Sequence, residues 1–281
     1  MTHRRSEYVA YKGGFTHVST WGAPAKPALI MWHGLARTGR DFDAAAERLS
    51  QDYFVICPDT LGRGLSSWAT DPKAEYSLEN YAEQALSLLS HYNLDRTRWF
   101  GTSMGGLIGI YLAGGALRGR ISHLVINDIG PEVPQDALDR IVEYVGTPPH
   151  FTDMPAFENW LKEIYAPFGQ NDDAYWRCMA DTSGRRLDDG AVTVHYDTRI
   201  VAQFTHNAAE LPLWSFYDNI TAKTLLTKGA MSDVLSDSIA DEMCKRGPQP
   251  DCHVFDDCGH APTFTSVEAI TFLARFFAGP L

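Results

Sequence analysis

Short, uninterrupted apolar runs that alternate with amphipathic segments constrain this chain more than any other feature. The runs from Ala28 to Trp32 and from Tyr53 to Cys57 suit strands that are buried on both faces of a parallel sheet. Between such runs, Tyr81, Ala85 and Leu88 recur at the spacing of one helical face. Strands that alternate with helices form right-handed βαβ units. The pattern therefore predicts an α/β protein with a doubly wound, mostly parallel sheet.

The same pattern predicts eight strands and one interruption. An N-terminal hairpin around Gly13-Gly14 supplies two strands, and six apolar runs supply the others, the later ones at 98–100, 123–126, 224–227 and 252–255. After the sixth strand the alternation stops, between about residues 131 and 215. That stretch carries Trp160, Trp176 and Trp214 on segments of helical character. We predict a core domain of residues 1–130 and 216–281 with a helical cap at 131–215.

Composition excludes several classes of partner. The formal net charge of −11, with no local cluster of Lys and Arg, disfavours nucleic acid and anionic membranes. No apolar run follows Arg4 and Arg5, and no later stretch is long enough to span a bilayer, so we expect no signal peptide and a cytoplasmic location. The five cysteines lack paired short spacings, which favours reduced thiols over a disulfide framework or a zinc site.

The strongest chemical motif is Gly101-Thr102-Ser103-Met104-Gly105, which lies between an apolar strand and an apolar helix. A serine at so sharp a turn occupies strained backbone, and its neighbours must be small. The helix that follows offers free N–H groups and positive dipole potential to an anion. A Gly-x-Ser-x-Gly match also occurs by chance in loops, but seldom between such a strand and helix. Ser103 is the predicted nucleophile.

A serine nucleophile needs a base, and the base needs a carboxylate to hold its tautomer. His260 follows the last predicted strand, at the sheet edge where Ser103 also lies, and is the predicted base. Two carboxylates follow strands at that edge, Asp233 and Asp128. We prefer Asp233, which follows the strand at 224–227; both aspartates give the order Ser, Asp, His along the chain. Asp128 stays open as the alternative.

These motifs together resemble those of the α/β-hydrolase superfamily. The matching landmarks span nearly the whole chain: His33-Gly34-Leu35, residues 58–66 with Arg63-Gly64, the serine motif, and Gly259-His260. Residues 127–131 and 232–236 resemble, more narrowly, a bacterial subgroup of capped hydrolases that are mostly carboxylesterases. In that subgroup the acid is the aspartate of a Ser-Asp pair, which supports Asp233.

The resemblance also implies an oxyanion hole and a pocket. The backbone N–H groups of Leu35 and Met104 would stabilise the oxyanion. We expect His33 and Gly34 to contribute to the substrate pocket, with Gly34 allowing close approach of the backbone. Aromatic residues of the cap would form the pocket ceiling. Although such residues more often serve packing, a few should line the site, and Trp160, Trp176 and Trp214 are the candidates.

The predicted function is hydrolysis of a small, apolar carboxylic ester by a Ser-His-Asp acyl-enzyme mechanism that requires no metal or organic cofactor. Dehalogenases and epoxide hydrolases of this fold carry Asp in place of Ser103. The carbon–carbon hydrolases of meta-cleavage products usually carry an aromatic residue after the catalytic histidine, where Ala261 stands here. That class remains an alternative, as do a cofactor-free lyase or peroxidase and a non-catalytic ligand-binding protein. The oligomeric state is not predicted.

Overall fold

The computed structural model describes residues 3–205 and 211–280. Its central feature is an eight-stranded sheet with the order β1-β2-β4-β3-β5-β6-β9-β10. The strands are β1 Arg5–Tyr11, β2 Gly14–Trp21, β3 Ala28–Trp32, β4 Phe54–Pro58, β5 Thr97–Thr102, β6 Ile121–Asn127, β9 Lys223–Gly229 and β10 Asp251–Phe255. Pairing is antiparallel for β1 with β2 and for β2 with β4, and parallel for the other pairs. This confirms the predicted fold, including the N-terminal hairpin.

Helices cover both faces of the sheet. They are α1 Asp43–Leu49, α2 Pro72–Glu75, α3 Leu78–His91, α4 Met104–Gly114, α5 Gln135–Gly146, α6 Met154–Ile164, α7 Asp173–Ser183, α8 Ala202–Thr205, α9 Trp214–Tyr217, α10 Asp237–Lys245 and α11 Val267–Ala278. Residues of β3 alternate between two hydrophobic clusters: Ile30 and Trp32 belong to one, and Leu29 and Met31 to the other. Every residue of β3 is buried, as expected for a strand that is covered on both faces.

Between β6 and β9 the chain leaves the sheet and forms helices α5 to α9, with a small hairpin among them. The hairpin pairs β7 Gly184–Arg186 with β8 Val192–Val194. Phe157 and Trp176 of this segment belong to the same hydrophobic cluster as Ile30 and Trp32. The predicted domain ranges also include residues 1, 2, 206–210 and 281, which lie outside the described residues.

No helix within the described residues is long and apolar enough to cross a membrane.

Candidate active site

Ser103 lies in a sharp turn between β5 and α4. Its backbone has φ +51°, in the left-handed region that non-glycine residues seldom adopt. Two contacts hold the turn: the N–H of Ser103 donates to the carbonyl oxygen of Asn127 at 2.9 Å, and its own carbonyl accepts from the N–H of Gly106 at 2.7 Å. The strained serine is thus fixed between β6 and the first turn of α4.

Glycines on each side of Ser103 permit this close packing of strand and helix. A Cβ on Gly101 would lie 2.1 Å from the carbonyl oxygen of Gly105. A Cβ on Gly105 would lie 2.1 Å from the carbonyl oxygen of Trp32. Both distances are far below van der Waals contact, so no larger residue fits either position without backbone movement.

Two hydrogen bonds join Ser103, His260 and Asp128 in a line. His260 Nε2 lies 3.0 Å from Ser103 Oγ, and His260 Nδ1 lies 2.8 Å from Asp128 Oδ2. The carboxylate is fully buried, whereas the side chain of His260 is 16% exposed. Because a carboxylate only accepts hydrogen bonds, Nδ1 carries the proton and Nε2 is free to accept one from the serine. The three side chains have the geometry of a nucleophile, a base and an orienting acid.

The preference for Asp233 as the carboxylate partner of His260 is wrong in this structure. Asp233 lies at the pocket rim with its side chain 54% exposed, and its Oδ2 accepts a 2.6 Å hydrogen bond from Nη2 of Arg140. The sheet order explains the outcome. Strand β6 lies between β5 and β9, so a residue at its end is adjacent to both the serine turn and β9.

Strand β9 contributes backbone and hydroxyl groups to this arrangement in place of a carboxylate. The N–H of Gly229 donates to Asp128 Oδ1 at 3.0 Å, and Thr227 Oγ1 donates to Asn127 Oδ1 at 2.8 Å. Asn127 Nδ2 donates in turn to the carbonyl oxygen of Pro262, at 2.9 Å, in the loop that carries His260. Asn127 and Asp128 therefore tie the serine turn, β9 and the histidine loop together.

The two predicted oxyanion donors lie beside Ser103, and a buried arginine links them. Met104 is the first residue of α4, so its N–H has no partner within the helix. Leu35 lines the same pocket as Ser103. Arg63 donates from Nε to the carbonyl oxygen of Leu35 at 2.8 Å, and its Nη2 lies 3.6 Å from Met104 Sδ. The guanidinium is fully buried and lies over the rings of Tyr76 and Tyr81.

His33 is a structural residue, which corrects its assignment to the substrate pocket. Its side chain is fully buried, and Nε2 accepts a 2.9 Å hydrogen bond from the N–H of Thr60. Nδ1 therefore carries the proton and donates to the carbonyl oxygen of Gly34 at 2.7 Å. Burial lowers the pKa of His33 to about 4, so the ring is neutral at pH 7. Gly34 does line the pocket, and a Cβ there would lie 3.6 Å from the Cβ of Ser103.

None of the three predicted tryptophans is among the described residues that line the pocket with Ser103. Trp160 packs against Phe151 and Phe157. Trp176 is buried in the core, and Trp214 stacks with Arg246 and donates from Nε1 to Glu132. Large aromatic side chains on amphipathic helices bury most area against one another, and here that packing directs them away from Ser103.

Other residues of the inserted segment do reach the pocket. The described lining consists of Gly34 to Arg37, Asp41, Phe42, Thr102, Ser103, Arg140, Ile141, Tyr144, Ile164, Tyr165, Pro167, Phe168, Tyr175, Asp233 and His260 to Thr263. Tyr144, Tyr165 and Tyr175 have raised pKa values, chiefly because they are buried, so their hydroxyls stay protonated. The pocket is apolar with a few hydrogen-bonding groups, as small-molecule sites usually are.

The two arginines in this lining escaped the sequence analysis, because arginine on an amphipathic helix or loop usually faces solvent. Arg37 is buried and donates to both oxygens of Asp41, at 2.9 and 2.5 Å, and to Ser183 Oγ at 2.8 Å. Arg140 has its side chain 48% exposed. Among the described residues, no group of three or more His, Cys, Asp or Glu side chains is arranged to hold a metal ion.

Comparison with known proteins agrees with the fold. Residues 27–267 match the family model described as alpha/beta hydrolase fold. A 3-hydroxybutyrate-oligomer hydrolase from Cupriavidus necator is 37% identical over 269 residues, which cover 92% of this chain and 91% of that protein. The chain belongs to the α/β hydrolase family and is a hydrolase.

Solved structures of similar proteins match along almost the whole length. A hydrolase from Rickettsia typhi superimposes with a TM-score of 0.89 at 26% identity and covers 98% of each chain. An α/β hydrolase from Novosphingobium aromaticivorans gives a TM-score of 0.88 at 31% identity, also with 98% of each chain covered. The match includes the segment between β6 and β9, because the aligned region leaves almost nothing out.

Proposed function

We propose that this chain is a serine esterase that forms an acyl-enzyme on Ser103. The observation that carries the proposal is the line of hydrogen bonds from Ser103 through His260 to Asp128, with distances of 3.0 and 2.8 Å. A serine hydroxyl becomes an effective nucleophile when a neighbouring base accepts its proton and a buried carboxylate stabilises the resulting imidazolium. Ser103 and His260 both line one pocket, and Asp128 is fully buried beside His260.

The proposed reaction has two steps. His260 Nε2 takes the proton of Ser103 Oγ as the oxygen attacks the ester carbonyl, and the N–H groups of Leu35 and Met104 bind the oxyanion. His260 then gives that proton to the departing alcohol, which leaves an acyl-serine. In the second step His260 deprotonates a water molecule that attacks the acyl carbonyl, and the acid is released with Ser103 restored. The proposed steps need no metal or organic cofactor.

We further propose that the substrate is a short oligoester of a hydroxy acid. The relative from Cupriavidus necator is named for oligomers of 3-hydroxybutyrate, and units of such an oligomer are joined by ester bonds. The 37% identity extends over 92% of this chain, so it includes the segment that forms much of the pocket. Apolar residues such as Leu35, Ile141, Ile164 and Phe168 line the pocket and suit methyl-bearing aliphatic units.

Active-site labelling and turnover test the proposal together. We expect a fluorophosphonate to add to Ser103, as shown by intact mass and peptide mapping, and a Ser103→Ala variant to stay unmodified. We expect the wild-type protein to hydrolyse p-nitrophenyl butyrate and the linear dimer and trimer of 3-hydroxybutyrate. Absence of the Ser103 adduct would refute the acyl-enzyme mechanism. Hydrolysis of the p-nitrophenyl ester without hydrolysis of either oligomer would refute the oligoester substrate alone.

A further inference from the structure

The pocket that contains Ser103 also carries a cation and a hydroxyl on one face of α5. Arg140 and Tyr144 are four residues apart, so their side chains project from the same side of the helix. Both line the pocket, together with Asp233. Because burial raises the pKa of Tyr144, its hydroxyl keeps the proton and can donate a hydrogen bond. The helix therefore presents two donors to the same cavity as the nucleophile.

Of the two arginines in the described lining, Arg140 is the one that can take a ligand. Arg37 is buried with its donors directed to Asp41 and Ser183, and its guanidinium lies over the ring of Tyr165. Arg140 pairs with Asp233 across a 2.6 Å contact in which the side chains are 48% and 54% exposed. Exposed ion pairs contribute little to stability, so Arg140 can exchange Asp233 for another carboxylate at small cost.

The positive and negative charges that line the pocket balance, unlike those of the chain as a whole. The lining holds two cationic side chains, Arg37 and Arg140, and two carboxylates, Asp41 and Asp233, so it is formally neutral in a chain whose net charge is −11. An anion that approaches such a chain meets general repulsion, and it needs a local cation to bind. Guanidinium suits this purpose, because it donates two parallel hydrogen bonds to a carboxylate.

We propose that Arg140 and Tyr144 form a carboxylate subsite that binds the free carboxyl end of the substrate. The inference rests on the proposed oligoester function, in which each linear substrate has one terminal carboxylate. Arg140 forms an ion pair with Asp233 in this structure, and the substrate carboxylate would take the place of Asp233. The subsite orients the oligomer with its carboxyl end at the mouth and the ester bonds toward Ser103. It selects free acids over neutral esters of the same length.

Binding to a Ser103→Ala background tests the subsite without turnover. The probes are the linear dimer of 3-hydroxybutyrate as the free acid and as its methyl ester, with dissociation constants from calorimetry. We expect the free acid to bind more tightly than the methyl ester. The preference, expressed as the ratio of the two constants, should fall about tenfold when Arg140→Gln is added, as expected for loss of a charge-assisted hydrogen bond.

The matched control is Arg118→Gln, which makes the same change of charge. Arg118 is exposed and just precedes β6, so it lies at the opposite edge of the sheet from Ser103. We expect the preference for the free acid to be unchanged in this variant. If the preference for the free acid falls equally in both variants, its cause is the net charge of the protein, and the subsite proposal is overturned.

A preference that stays within twofold in Arg140→Gln also overturns the proposal, as does failure of the free acid to bind. These outcomes are separate from failure of the proposed function, which is read from fluorophosphonate labelling and ester turnover of the wild-type protein. If the protein cleaves both dimers and the Arg140→Gln variant cleaves them equally well, the esterase proposal stands and the subsite proposal is wrong.

Discussion

At the scale of single residues, one hydrogen bond, from His260 Nδ1 to Asp128 Oδ2, shows which aspartate pairs with His260. Asp128 has φ +57° and is fully buried, so its carboxylate is held rigidly between Gly229 and His260. Aspartate tolerates the left-handed region better than most residues, which suits it to this position. The neighbouring Asn127 ties the same turn to the loop of His260.

Replacement of the two aspartates tests this assignment. We expect Asp128→Asn to lower kcat for p-nitrophenyl butyrate by about 10⁴-fold, because an amide would favour the wrong tautomer of His260. We expect a far smaller loss in Asp233→Asn, since Asp233 bonds to Arg140. The measurement is steady-state turnover of both variants. The reverse ranking would return the acid role to Asp233.

Asp233→Asn has a second expected effect that no catalytic acid would show. Removal of its charge frees Arg140 from the ion pair, so the preference for the free-acid dimer over its methyl ester should rise. Calorimetry in the Ser103→Ala background measures it, and a fall in the preference would contradict the competition between Asp233 and substrate.

Arg63 is expected to position the oxyanion hole, because it holds the carbonyl of Leu35 and touches the side chain of Met104. We expect Arg63→Met to lower kcat by roughly tenfold, less than the loss of an oxyanion donor itself, with KM changed little. Arg63→Lys keeps the charge and should recover only part of kcat, since lysine lacks the planar set of donors. Urea unfolding of each variant separates this effect from loss of folded protein. A change in KM alone would contradict the positioning role.

At the scale of elements, helix α5 and the serine turn show how local geometry positions chemistry. The i, i+4 spacing of Arg140 and Tyr144 places two donors on one face of the helix, and both line the same cavity. The turn between β5 and α4 depends on glycine at Gly105, where the helix approaches the carbonyl of Trp32. Gly34 lies in the same region, yet has space for a methyl group.

This contrast predicts unequal costs for two identical substitutions. We expect Gly105→Ala to lower the free energy of unfolding by about 3 kcal/mol or to prevent folding, because its Cβ would clash with backbone. We expect Gly34→Ala to fold with nearly unchanged stability, since its Cβ would meet the Cβ of Ser103 at 3.6 Å. Urea denaturation followed by circular dichroism measures both. Similar losses in the two variants would show that the clash is relieved by small movements of the helix.

At the scale of the whole molecule, buried neutral histidines connect stability to pH. The pKa of His33 is about 4 in the folded protein because of burial, against an ordinary value of 6.5. As the pH falls below 6.5, the unfolded chain gains a proton that folded His33 does not accept. The stabilisation by His33 is therefore complete above pH 6.5 and is lost between pH 6.5 and 4. Burial also lowers the pKa values of His123 and His195, which act in the same direction.

We expect the free energy of unfolding of the wild-type protein to fall as the pH is lowered from 7.5 to 5. The fall should be about 2 kcal/mol larger than the fall in the His33→Gln variant. Urea titrations at the two pH values give the difference. His91→Gln is the control, because His91 is exposed on α3 and is hydrated in both states. An equal loss in the wild type and in His33→Gln would exclude His33 as a source of the pH dependence.

The sequence by itself determined the fold and singled out Ser103 and His260 as the candidate nucleophile and base. Strands buried on both faces are continuously apolar, and a serine turn needs glycines at set positions, so both signals are local. The predicted hairpin, eight strands and insertion after β6 are confirmed. His260 could be chosen because it follows the last strand at the sheet edge where Ser103 lies, a position that chain order alone reveals.

The tertiary structure alone decided which carboxylate meets His260 and which side chains line the pocket. Asp128 and Asp233 both follow strands at the same edge, and only the order of β5, β6 and β9 brings Asp128 to the histidine. Four predicted pocket residues are of types that often line ligand sites: His33, Trp160, Trp176 and Trp214. Hydrogen bonding and aromatic packing instead direct them into the core or away from Ser103. Arg140 and Tyr144 reach the pocket because the inserted helices fold back over the sheet edge. Such contacts join residues far apart in the chain, and no local pattern encodes them.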